Sequence, residues 1–179
     1  WQKTVHDEYT MRNKRLFLDA VGLAGSLGSI IVEKTSAHNR VVVDNGSKFS
    51  CIAHHFFDSE NLNIIEFDKC LIVVVDGAII EVSEIHHLLT YSYEKNIPTI
   101  IMATNYSDDV ANTLRVNWEK DLVKVLPLII DKDLENVNQV KDLCQISRTF
   151  PVSKDTGILL STIDFDDMSF SSATYNNTR

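Results

Sequence analysis

The chain has 179 residues, 44% of them hydrophobic, enough for one domain with a full core and too few for a second independent one. A formal net charge of −8 argues against a nucleic-acid groove, which needs a clustered basic face, and against docking on an anionic membrane. No apolar run approaches a membrane span, and residues 1–14 lack the charged-then-apolar layout of a signal peptide. Cys51, Cys70 and Cys144 are an odd count without CxxC spacing, which suits a reducing compartment and incidental thiols. Because residue 1 is Trp rather than Met, a piece of a longer or processed chain is expected.

Residues 1–14 are polar and charged. Residues 15–27 carry Leu16, Leu18, Val21 and Leu23 and predict a short helix ending at Gly25 and Gly28. Residues 30–32 and 40–44 are β-branched runs and predict paired strands. Residues 49–63 read as an irregular loop, in which the adjacent rings of His54, His55, Phe56 and Phe57 need a reason to lie at a surface. Residues 62–67 predict an edge strand.

The centre of the chain is residues 70–117. Residues 71–75 form a continuous apolar run with three valines, the composition of a strand buried on both faces. Asp76-Gly77 is a turn, and a helix follows from about Val82, with Ile85, Leu88 and Leu89 at helical spacing. Pro98 leads into a second buried strand, residues 99–103. Ser107 is the N-cap of a second helix, with Asp108 and Asp109 where carboxylates suit the helix dipole. Strand, helix, strand, helix implies a parallel sheet, so the fold class is α/β, a mixed sheet flanked by helices. Beyond residues 118–121, which close that helix, an apolar run 122–130 holds Pro127, residues 133–143 predict an amphipathic helix, and residues 157–163 predict a last strand. The Ser/Asn/Thr-rich tail from Ser169 reads as loosely ordered, or as the path back into a missing neighbour.

Two kinds of chemistry can be weighed from the residues. His54-His55 and His86-His87, with Cys51 and Cys70, offer zinc-ligand atoms, but neighbours on a helix diverge by about 100° and no HxxxH or CxxC pair exists, so no metal site is assigned. Asp76, at a strand-to-helix turn, is where α/β proteins place catalytic carboxylates. It lacks a second carboxylate in a DxD pattern, residues 22–28 are not a P-loop, and no GxSxG elbow exists, so an Asp that starts a turn is the favoured reading and no catalytic residue is assigned.

The same central stretch resembles the apical domain of the GroEL-type (group I) chaperonins: an apolar strand ending in Asp, an I-x-x-hydrophobic-x-x-hydrophobic-hydrophobic helix, Pro98 before a second strand, and a helix ending in Val116-Asn117. Upstream, AGSLGSIIVE (residues 24–33) and VVVDNGSKF (residues 41–49) are similar to the family's glycine pair with short strand and its strand-Gly-x-x-Phe run. Downstream, residues 123–127, 143–146 and 155–157 fall where the family has a strand, its last apical helix and a Thr-Gly turn. The resemblance covers roughly residues 15–160. It implies a lead-in over 1–27, an apical-type polypeptide-binding domain over 28–165 and a connecting tail over 166–179.

The family's apical groove binds non-native polypeptides, whose exposed apolar surface is worth about 25 cal/mol per Å² when covered, with no sequence specificity required. By resemblance the polypeptide-binding positions are Phe56 and Phe57 in the loop, His86 and Leu89 on the first helix, and Ala111, Arg115, Val116 and Asn117 on the second. His86, Ala111 and Arg115 stand where the family is aliphatic, which thins the apolar surface, although an Arg can lay its stem along such a groove. The resemblance further implies a GroES-type co-chaperonin, a ring homo-oligomer, no nucleic-acid or membrane partner, and no cofactor in this piece, with ATP and Mg²⁺ belonging to an absent equatorial part. The compartment would be the cytoplasm or an organelle matrix, and both a virus-encoded and an organellar member fit so divergent a chain. Two rivals stay open: an apical-like domain that lost client binding and serves assembly or scaffolding, and a small α/β phosphoacceptor or metal-dependent enzyme using Asp76.

Overall fold

The computed structural model describes residues 13–26, 28, 30–32, 38–43, 46, 49, 51–57, 64–130, 134–149, 151–153 and 157–176. It divides into two compact units, residues 1–47 and 48–179.

In the first unit, helix α1 (Lys14–Ala24) ends at Gly25, whose φ of +68° is open to glycine and strained for other residues. At Gly28 an added Cβ would lie 2.3 Å from the Ala24 carbonyl oxygen, so only glycine fits this close return to the helix end. The paired strands expected at residues 30–32 and 40–44 are not found: residues 30–32 and 40–43 carry no ladder, and Asp44 lies outside the described residues. Ile31, Val32 and Val42 are 60%, 68% and 63% exposed. β-branched composition marks a surface fit for a sheet, and without burial against neighbours it does not make one.

The second unit is built on a five-stranded sheet in the order β1-β6-β4-β2-β7. Its strands are β1 (Ile52–Ala53), β2 (Ile64–Val74), β4 (Thr99–Ala103), β6 (Val125–Ile129) and β7 (Phe170–Asn176); β3 (Ala78–Ile79) and β5 (Asn105–Tyr106) form a separate parallel pair. β2, β4 and β6 are parallel, in register Leu71↔Thr99 and Thr99↔Val125. The antiparallel strands β7 and β1 close the two edges. The parallel centre follows from the two helices that carry the chain back, α2 (Val82–Lys95) and α3 (Asp108–Glu119). Every residue of β4 is buried, as a strand covered on both faces requires. The core joins Val73, Ile101 and Leu126 of the sheet to Ile85 and Leu88 of α2 and Val110, Ala111 and Leu114 of α3.

Local chemistry fixes the ends of these helices. α2 opens on a capping box in which Glu84 Oε1 accepts the Glu81 N–H at 3.1 Å, and it stops at Asn96, left-handed at φ 51°. α3 opens on Ser107, whose Oγ accepts the Val110 N–H at 3.3 Å and donates to the Ile80 carbonyl at 2.6 Å. That second bond ties the start of α3 to the entry of α2. A fourth helix, α4 (Leu134–Ile146), runs past residue 143 and buries Leu143 and Cys144; Asp133 lies outside the described residues.

Three expectations need correction here. Of the edge strand expected at residues 62–67, residues 62 and 63 lie outside the described residues, and residues 64–67 are the first part of β2, alternating in burial before residues 70–74 become wholly buried. Residues 157–163 hold one bridge, Ser153↔Ile158, and a 3-10 turn, Leu160–Thr162, rather than a strand. The polar tail is not loose over residues 170–176, where β7 pairs with β2 from Ile64↔Asn176 to Leu71↔Phe170; residues 177–179 lie outside the described residues. Tyr175 Oη accepts the Ala53 N–H at 3.2 Å. A strand of small polar residues is held by its backbone ladder, which composition does not reveal.

Candidate functional site

α2 and α3 pack side by side, and the 3-10 turn His55–Phe57 packs on α3. Arg115 brings the turn and the helix together, its guanidinium carbon 5.8 Å from the centre of the Phe56 ring. The same guanidinium binds Glu119 Oε1 at 2.8 Å and Asn112 Oδ1 at 2.9 Å, so the charge beside the turn is also held along the helix. Val116 and Leu89 are half-buried, each offering part of an apolar side chain at the surface. Asn117 donates from Nδ2 to the Thr113 carbonyl at 2.8 Å, and its own carbonyl accepts the Leu122 N–H at 3.0 Å, a closure of the helix end.

Two of the positions expected by resemblance to bind polypeptide are core residues. Phe57 is 2% exposed, its ring edge-on to Trp118 at 5.8 Å, and Ala111 is fully buried in the stripe with Val110 and Leu114. Ala111 and Arg115, both groove positions by resemblance, therefore part company, with Ala111 inside and Arg115 outside. A methyl side chain so near the sheet leaves no room for solvent, whereas the longer Arg115 escapes. His86 is exposed and lies 3.1 Å from Thr90 Oγ1 through Nδ1.

His54 is the neighbour that sequence inspection left among the loop histidines. It is 3% exposed, against Tyr106 (ring centres 5.9 Å apart), His55 (4.2 Å) and Phe56 (5.2 Å). Its Nδ1 accepts the Phe56 N–H at 3.4 Å. Burial lowers its pKa below the ordinary histidine value, the His55 charge lowers it further, and Asp108 pulls it back up. The run of four aromatic rings was the only sequence signal, and it does not say which of them turns inward.

Among the described residues no three His, Cys, Asp or Glu side chains gather closely enough to hold a metal ion. His87 Nε2 lies 3.0 Å from the Ile163 carbonyl, with its ring on Phe165. Burial raises the Cys51 and Cys70 thiols to about 11, which disfavours the thiolate a soft metal needs. Asp76 is exposed, at the mouth of a cavity of about 380 Å³ also lined by Ile79, Ile80, Val152 and Leu159. This is the crevice past the carboxyl end of a parallel strand, where the far wall comes from residues 158–161, expected to be a strand and found as a turn.

No protein-family model matches the chain. It is 31% identical over 113 residues to chaperonin 60 subunit alpha 2, chloroplastic, of Arabidopsis thaliana, covering 62% of this chain and 20% of that protein. It is 25% identical over 161 residues to the chaperonin GroEL of Carsonella ruddii strain PV, covering 87% of this chain and 30% of that protein. With the RuBisCO large subunit-binding protein subunit alpha, chloroplastic, of Triticum aestivum it shares 23% over 157 residues, 86% of this chain and 29% of that protein. The chain thus spans between a fifth and three-tenths of the length of these relatives. The similarity of this mixed α/β chain is to chloroplast and bacterial chaperonins alike.

Proposed function

We propose that this chain is the apical, polypeptide-binding part of a divergent group I chaperonin. Non-native polypeptides would be captured on the outer side of α2 and α3, with Leu89, Val116 and Phe56 as apolar contacts and Arg115 and His86 at their margin. The observation that carries this reading is the similarity to chaperonins across up to 161 residues of a chain whose two adjacent helices leave these side chains half-open. An unfolded segment needs only such apolar surface, since covering it recovers about 25 cal/mol per Å² whatever the sequence. Phe57 and Ala111 would serve from beneath, by shaping the ledge. ATP and Mg²⁺ would act in an equatorial part outside this chain, which by itself would be no enzyme. A GroES-type co-chaperonin and a homo-oligomeric ring are the partners, and an organelle matrix or a bacterial-type cytoplasm is the compartment.

A second reading has observations of its own. With Phe57 and Ala111 buried, His86 polar and Arg115 ion-paired, the ledge is narrower than the family pattern implies, which favours an apical-like domain retained for assembly. One experiment separates the two. The chain is added to a chemically denatured test protein and aggregation is followed by light scattering, beside the double variant Leu89→Ser/Val116→Ser. Suppression that the double variant loses supports capture; no suppression by the wild type, alone or in its parent assembly, leaves the scaffold.

A further inference from the structure

We propose that His54 is a proton-sensitive latch that holds the His55–Phe57 turn on α3 when neutral and releases it when charged. The inference rests on the placement of the polypeptide-binding ledge at α3 only for its consequence, which is a larger apolar surface in mild acid. The geometry is of a closed ring pocket. His54 is 3% exposed, its backbone N–H donates to the Pro127 carbonyl of β6 at 3.2 Å, and its ring Nδ1 accepts the Phe56 N–H. Nδ1 is therefore the unprotonated nitrogen of the closed state. A proton there removes the acceptor from the turn and places two donors against one another. It also places a cation in a pocket walled by Phe56 and Tyr106.

The charges around it decide the sign. His55 in the turn and Arg115 of α3, over Phe56, oppose a second positive charge, and Asp108 in the first turn of α3 favours it. Tyr106 of β5 is held neutral by burial, the Cys51 thiol before β1 likewise, and β6 contributes only apolar residues. The balance lowers the pKa of His54 in the closed state, so the open turn, where the ring meets water, takes the proton more readily. The opening equilibrium is thus independent of pH above about 6.5 and shifts toward the open turn as pH falls below it, by up to about tenfold per pH unit for one proton. Release frees Phe56 and Phe57, the latter now edge-on to Trp118, and uncovers the Phe57-facing side of α3.

The test follows the 179-residue chain from pH 7.5 to 5.5 with bis-ANS, a dye that brightens on apolar surface. Far-UV circular dichroism is read in parallel, and histidine ring and backbone amide shifts by NMR. The expected result is a reversible, several-fold rise in dye emission with unchanged far-UV signal. The amides of Phe56 and Phe57 should move at the midpoint of the His54 ring. His54→Asn keeps an acceptor near the Nδ1 position and takes no proton, so its dye signal should stay flat, while His55→Gln should keep the rise. A flat wild type, or an equal rise in His54→Asn, overturns the latch. Should His54→Asn fail to fold, amides of Phe56 and Phe57 that do not follow the wild-type His54 ring overturn it as well. None of these readouts uses a client, so loss of the latch and loss of the capture function at pH 7.5 are separate results.

Discussion

Tyr106 shows how one side chain can tie several elements together. It sits in β5, is 3% exposed, and donates from Oη to the Ile101 carbonyl at 2.7 Å, with the Leu128 carbonyl a second acceptor at 3.1 Å. Replacing Tyr106 with Phe leaves those carbonyls without the hydroxyl and should cost about 1 kcal/mol in urea unfolding. Burial drives its pKa well above the ordinary phenol value, so folding is favoured by the neutral form. That contribution is whole below pH 10 and is lost as pH rises above it, where only the unfolded chain ionises readily. Alkaline titration at 295 nm should give the same folded-state phenol ionisation in the wild type and in Tyr106→Phe; a phenol lost from the folded-state titration of the variant would contradict this. Phe57→Ala should cost more, about 3–5 kcal/mol, because it empties a site against Trp118. The sequence around Phe57, rich in Ser, Asp and Asn, resembles a surface loop, and only its pairing with a ring far along the chain turns it inward.

The elements that could be read from sequence are those whose signals are local. The N-cap at Ser107, the strand 99–103 and the helix from Val82 to the Asn96 stop all lie where capping residues and apolar runs place them. Ser107→Ala should therefore lower stability by about 1 kcal/mol or somewhat more, since the same hydroxyl also holds the Ile80 carbonyl. Equal stability in denaturant would contradict the cap. β7 was illegible for the opposite reason. Its residues have little strand preference on one face, and its order comes from β2, a hundred residues earlier in the chain, through backbone pairing. The β-branched residues 30–32 erred the other way, with propensity and no ladder. Of the candidate ledge, the order of helices was legible. The depth of Ala111 and Phe57 was not, because it depends on how closely α3 and the turn approach the sheet.

At the scale of the whole molecule, every described strand and the helices α2, α3 and α4 belong to residues 48–179. Among the described residues of 1–47, helix α1 buries no side chain completely. A fragment of residues 48–179 should accordingly unfold in one cooperative transition with the near-UV signal of the longer chain; a molten or insoluble fragment would show that residues 1–47 complete the core. The central claim is that clients are held on the outer side of α2 and α3, and photo-crosslinking tests it most directly. A benzophenone side chain would be placed in turn at Leu89, at Val116 and, as a remote control, at the exposed Ser172 of β7, and each variant irradiated with a denatured test protein. Crosslinks several-fold stronger at Leu89 and Val116 than at Ser172 are the predicted result. Equal labelling at all three positions, or none at the helices, would contradict the account.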